Sequence, residues 1–161
     1  MDDELKEIIE RVVVETMRSA AYILAERTDE GDDIAPEIQN PIGVSLTFSG
    51  TPSGSLTLWA EPRLARIAAA NMLGIDEEDS AAVGKQVEAL KELLNIIVGS
   101  FLTEAYGEHL LFDLGLPQQC AMSRLEEKAN HPDTLWIVAD ESPVAISLQL
   151  HDPGGARGMT P

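Results

Sequence analysis

Ala82-Val-Gly-Lys-Gln-Val-Glu-Ala-Leu-Lys-Glu-Leu-Leu-Asn-Ile-Ile-Val-Gly-Ser-Phe-Leu-Thr-Glu-Ala105 reads as one long amphipathic helix, and the rest of the chain can be placed around it. Val83, Val87, Leu90, Leu94, Ile97 and Phe101 recur at helical spacing and form the expected core face. At about 100° per residue, Lys85, Glu88, Glu92, Asn95, Gly99 and Thr103 gather on the opposite side. Solvation alone does not favour that outward stripe. Gly99 inside a helix costs about 1 kcal/mol relative to Ala, and Asn95 is a mediocre helix former because its amide competes for backbone partners. With Ile96 near the same side, the stripe combines a carboxylate, a carboxamide, a missing side chain and an exposed apolar group. Such a mixture suits a face on which another protein docks. The spacing of Glu92 and Asn95 taken alone fits an ordinary solvated or i,i+4-paired glutamate equally well.

Upstream of this helix, Leu5, Ile9, Val12, Val13, Thr16, Ala20 and Leu24 predict a first helix over residues 3–26, with Asp2, Asp3 and Glu4 at its positive end. Residues 28–41, acidic and interrupted by Gly31, Pro36 and Pro41, predict a surface loop. Two alternating runs, 42–48 and 55–60, joined by Ser49-Gly-Thr-Pro-Ser-Gly54, predict a β-hairpin. Pro62 at a first helical position and Gly74 at the far cap bracket a second helix whose alanines permit close packing. Asp79 or Ser80 is then the expected cap of the long helix. Beyond Gly107, apolar segments at 110–114, 119–125, 135–140 and 143–150 predict three or four strands, with turns at 126–133 and 141–143. The order of elements predicts an α+β domain over residues 1–150, an antiparallel sheet with long helices on one face, and a frayed tail at 151–161.

Composition excludes several function classes. The chain has 161 residues, enough for one domain, with 11 basic against 28 acidic side chains and a formal net charge of −17. That charge repels phosphate backbones and anionic lipid surfaces, so neither nucleic acid nor a membrane is an expected partner. Cys120 is the single cysteine, which leaves no internal disulfide and predicts a small buried hydrophobe. An acidic start without a signal-peptide pattern, and the lack of a membrane-spanning apolar run, predict a cytoplasmic protein.

Motifs for self-contained catalysis are missing too. His109, His131 and His151 lack the local spacing of a metal site, and there is no nucleophile elbow, phosphate-binding loop or dinucleotide turn. The acids between Asp76 and Asp79 lack the glycine and terminal glutamate of a calcium loop. Trp59 and Trp136 fall in predicted strands, where core or sheet-face packing is the default.

Glu92-Leu-Leu-Asn95 followed by Gly99, the hairpin Val44-Ser-Leu-Thr-Phe-Ser-Gly-Thr-Pro-Ser-Gly-Ser-Leu-Thr-Leu58, the helix at 65–74 and Leu116-Pro117 together resemble the CheC/CheX/FliY family of phosphatases that act on phosphorylated CheY, over residues 5–150. The first helix offers Glu10-x-x-Val13 and Glu15-x-x-Arg18 without a carboxamide, so a single site, as in CheX, is the better match. Glu88 stands where the family carries Asp or Ser, and the proline falls one residue short of the family spacing. The resemblance implies a CheC-like sheet of about six antiparallel strands, and a homodimer paired through the sheet. The few charges between Val144 and Leu150 suit such edge pairing. It also implies an aspartyl-phosphate phosphatase with Asn95 and Glu92 as catalytic residues and Glu88, Ile96 and Gly99 against the partner. No cofactor belongs to this chain, since Mg²⁺ comes with the phosphorylated CheY-like receiver. The alternative is a noncatalytic module that binds a receiver or a flagellar-switch partner through the same helix.

Overall fold

The computed structural model describes residues 1–28 and 37–151. Most of the expected acidic loop (29–36) and all of the expected tail beyond His151 lie outside the described residues. Helix α1 (Asp3–Ala21) starts where the Asp2 carboxylate accepts from the Glu4 and Leu5 N–H groups, at 2.8 and 3.3 Å. It stops five residues before the periodicity predicts. Tyr22 takes a left-handed conformation (φ 54°) and its N–H, with that of Ile23, closes onto the carbonyls of Arg18 and Met17. Leu24, which continued the apolar period, is therefore off the helix and exposed, and residues Ala25–Arg27 form a short strand, β1.

The hairpin is as the alternation predicts. Strands β2 (Ile42–Ser49) and β3 (Ser53–Ala60) pair antiparallel with Val44 opposite Leu58 and Leu46 opposite Leu56. Helix α2 (Pro62–Leu73) begins with its proline and ends at Gly74 in the left-handed region, where only glycine is unstrained. The long helix departs from the prediction at its start. A short α3 (Ser80–Gly84), capped by the Asp79 carboxylate on the Ala81 N–H, is followed at Lys85 by a break (φ −113°), and α4 (Gln86–Tyr106) sets off afresh. The break moves Val83 off the core stripe. It is half exposed, whereas Leu90, Leu94, Ile97 and Phe101 are fully buried.

Past α4 come β4 (Asp113–Leu114), β5 (Gln118–Cys120), α5 (Ser123–Lys128), β6 (Thr134–Ala139) and β7 (Ser142–His151). The predicted strand at 119–125 is thus cut to three residues, and part of the predicted turn at 126–133 is helical. The sheet has seven strands rather than about six, in the order β1-β6-β7-β3-β2-β4 with β5 also on β2, every pair antiparallel. β7 is hydrogen-bonded to β3 from Val144 to His151 and to β6 from Ser142 to Ser147, so Val144–Ser147 is interior, while Gln149 and Leu150 pair with β3 alone.

Strand alternation sends Val44, Leu46, Leu56, Leu58, Ile137, Val144 and Ile146 to one face, where α1, α2 and α4 bury them. On α2 the small Ala65, Ala68 and Ala69 face this core, which lets α4 pack between its two neighbours above β2 and β3. The opposite face carries a smaller cluster of Trp59, Leu125 and Ala145 under α5, with Cys120 and Trp136 against it. Both tryptophans are accounted for as sheet-face packing. Cys120 is half-buried there, and burial pushes its thiol up from the ordinary range, as expected of a small hydrophobe rather than a nucleophile.

Candidate functional site

Helix α4 divides into two faces. Leu90, Leu93, Leu94, Ile97, Val98 and Phe101 are sealed in the core. One side over, Glu88, Glu92, Asn95 and Thr103 are exposed, Ile96 is partly so, and Gly99 is half-open. Residues three and four apart on a helix are surface neighbours, about 5–6 Å between Cβ atoms, so Glu92, Asn95, Ile96 and Gly99 form one continuous patch. The structure brings together all five residues that the sequence singled out.

Among the described residues, neither the Glu92 carboxylate nor the Asn95 amide makes a hydrogen bond or ion pair within the chain. The outer face therefore keeps one acceptor-only group and one donor–acceptor group free, a turn apart on a rigid scaffold. Gly99 has no internal reason to be glycine. A Cβ built there meets no heavy atom within 4 Å, and its backbone is ordinary helix. The helix-propensity penalty of about 1 kcal/mol is thus unexplained by the chain's own packing. It is explained if something from outside must come close to the backbone.

Two hollows flank the patch. Toward the start of α4, a groove of about 570 Å³ runs between the ends of α1 and α2, with Tyr22, Leu73, Lys85, Glu88 and Glu92 among its walls. Asn71 holds its floor, donating from Nδ2 to the Ala21 carbonyl at 2.8 Å. Toward the end of α4, a second hollow of about 250 Å³ lies between Gly99, Thr103 and the loop that carries Leu110 and Leu111. Sequence reasoning missed both. Tyr22 and Leu24 sat inside a helical period and Leu110 inside a predicted strand, so their exposure was not legible. The one available signal was the pair of adjacent leucines three residues past Gly107.

No three potential metal ligands cluster among the described residues. Asp76 and Asp79 spend their carboxylates on local N–H groups, those of Glu78 and Ala81. No helix among the described residues is long and apolar enough to cross a membrane.

No curated protein matches the chain. Among solved structures, it is similar to the CheX–CheY–BeF3–Mg²⁺ complex from Borrelia burgdorferi, at 15% identity over 91% of this chain and 97% of that one, with a TM-score of 0.63. The chemotaxis protein CheX from Desulfovibrio desulfuricans matches at 14% identity over 92% and 99%, with a TM-score of 0.64. FliY from Thermotoga maritima matches at 14% over 99% and 95%, with a TM-score of 0.54. At such identities the likeness is one of fold, and it bears out the CheC-like architecture. A sequence-family match is more specific: the family described as chemotaxis phosphatase CheX covers residues 42–138, from the first residue of β2 through α4 into β6. With that match over more than half its length, the chain belongs to the CheX family.

Proposed function

We propose that this protein dephosphorylates a phosphorylated CheY-like receiver by inserting the outer face of α4 into the receiver's active site. The observation that carries the reading is the pair Glu92 and Asn95, exposed a turn apart and unengaged within the chain, in a CheX-family member. A receiver's aspartyl phosphate already has its electrophile, and the charge stabilisation of its own Mg²⁺ and lysine. What it lacks is a held water. The Asn95 carboxamide accepts from that water through Oδ1 and donates to the phosphoryl group through Nδ2, fixing the line of attack on phosphorus. The new P–O bond forms as the bond to the aspartate oxygen breaks, leaving a carboxylate and inorganic phosphate. Glu92 pairs with the receiver's lysine and sets the register of the helix. Glu88 and Ile96 complete the contact, and Gly99 gives room for the receiver's loops.

The CheX–CheY complex from Borrelia burgdorferi, a relative in fold, supports a receiver as the partner and Mg²⁺ as the partner's ion. Homodimer formation remains part of the proposal. With Val144–Ser147 of β7 interior, a second copy that extends the sheet would use β1, β4, β5 or the end of β7 at Gln149 and Leu150. The decisive assay follows loss of phosphate from receivers of the same genome, with the wild type and Asn95→Ala. Loss of acceleration in the variant with binding retained supports the reading. A wild type that binds the phosphorylated receiver without speeding its decay would instead favour the noncatalytic module, and equal rates for the two proteins would sink Asn95 as the water-holding residue.

A further inference from the structure

The loop that follows α4 is pinned, yet it holds leucines in solvent. Gly107, at φ 90°, ends the helix with its N–H on the Thr103 carbonyl. Phe112 then anchors the chain, its ring 6.1 Å from Phe48 edge to face and 5.9 Å from Tyr106. Gly50 lies so close beneath that ring that a Cβ there would collide with it, and the Gly115 N–H donates to the Thr47 carbonyl at 2.8 Å. A loop free to move would fold its leucines inward. This one is fastened at both ends and leaves Leu111 92% and Leu110 47% exposed, with Leu114 at 41% beside them. The three leucines line the hollow whose other wall is Gly99 and Thr103, and among the described residues Glu108 is the one ionisable side chain there.

We infer that Leu110 and Leu111 are specificity-determining residues, a fixed apolar clamp that takes an apolar side chain from the receiver surface beside the phosphoaspartate. The inference rests on the reading that Glu92 and Asn95 enter the receiver's site. Its occupant follows from distance. Asn95 and Gly99 are separated by about 6 Å along the helix axis, while a protein that docks specifically covers on the order of 800 Å². A receiver that reaches Asn95 and packs against Gly99 lies over the hollow that Gly99 lines. The clamp touches neither phosphoryl group nor water, so it sets affinity and choice of receiver, and leaves the rate of water attack to Asn95.

The test measures dephosphorylation against receiver concentration for the wild type, Leu110→Ser/Leu111→Ser, Leu111→Met and Asn95→Ala, using CheY-like receivers from the same genome. The double serine variant should raise the half-saturating receiver concentration about tenfold or more with kcat within twofold. Leu111→Met, which keeps the apolar volume, should behave as the wild type. Asn95→Ala should do the reverse, losing kcat at unchanged half-saturation. An unchanged half-saturation in the double variant, or a loss of kcat alone, overturns the clamp. Binding of receivers loaded with beryllofluoride and Mg²⁺ separates the two claims. If the wild type binds but Asn95→Ala keeps full turnover, only the catalytic reading fails and the leucines are judged on binding. If the wild type binds none of them, both fail.

Discussion

Helices α1 and α4 pack against each other over the same sheet face, and both turn acidic side chains outward. They differ in what those side chains find. On α1, Glu10 lies 3.3 Å from the Arg27 guanidinium of β1 and Arg11 bonds to Glu104 at the far end of α4, while Glu7 and Glu15 make no ion pair among the described residues. On the middle of α4, Glu92 and Asn95 find nothing within the chain. Nor can α1 display the same motif, since Val13, three residues beyond Glu10, is fully buried, and Arg18 occupies the place three beyond Glu15. Unpaired glutamates alone, as at Glu7 and Glu15, are ordinary surface. A face that sets one beside a free amide and a glycine that no internal contact requires is shaped for something outside.

The comparison is sharpest at Asn95. Asn95→Ala should lower receiver dephosphorylation about a hundredfold, the scale expected when a reacting group loses its positioning. Because Ala is the better helix former and the site is exposed, thermal unfolding of the variant should be unchanged or slightly raised. A loss of activity accompanied by a lower melting midpoint would mean that Asn95 supports the helix and does not serve a partner. Glu92→Gln comes next. It should raise the half-saturating receiver concentration about tenfold and flatten its dependence on salt, because the lost contact is a charge pair screened by ions. Equal salt slopes for the variant and the wild type would argue that Glu92 does not meet the receiver's lysine. Gly99→Ala should stabilise the fold by up to about 1 kcal/mol, seen as a higher denaturation midpoint, while weakening receiver binding a few-fold.

The contrast between the helices also shows what the sequence can carry. The stripe of Leu90, Leu94, Ile97 and Phe101 was legible because burial imposes a 3.6-residue period, and the same period placed Glu92, Asn95 and Gly99 opposite it. The hairpin was legible from the alternation of β2 and the turn residues that follow it, although Leu56–Ala60 of β3 is buried on both faces. The misreadings fall where burial is weak or chain direction changes. Val83 kept the period although Lys85 breaks the helix, for periodicity records which residues are apolar and not whether the backbone is continuous. Leu24 did the same past Tyr22, a left-handed residue that is not a glycine and so gave no stop signal. β1 is three residues long with little burial, and α5 is six with Leu125 alone sealed, both too short for any period to stand out. The roles of Glu92 and Asn95 came from the family resemblance; the geometry supplied only their exposure and freedom from internal bonds.

The smallest expected effect tests the other side of the comparison. Arg11 is an exposed cation on α1, joined to Glu104 on α4, and this pairing raises its already high pKa. If internal matching is what separates ordinary surface from docking surface, Arg11→Ala should leave both the rate and the half-saturating concentration of receiver dephosphorylation at wild-type values. Its melting midpoint should barely move, since an exposed pair loses in side-chain entropy and screening most of what it gains in attraction. Ion pairing between α1 and α4 would then be incidental to the site, and the register of α4 would be set by the buried stripe beneath it. A substantial change in kcat for Arg11→Ala would show the reverse, that the pair at the end of α4 helps hold Asn95 in line, and the division between a matched and an unmatched face would no longer mark where the function resides.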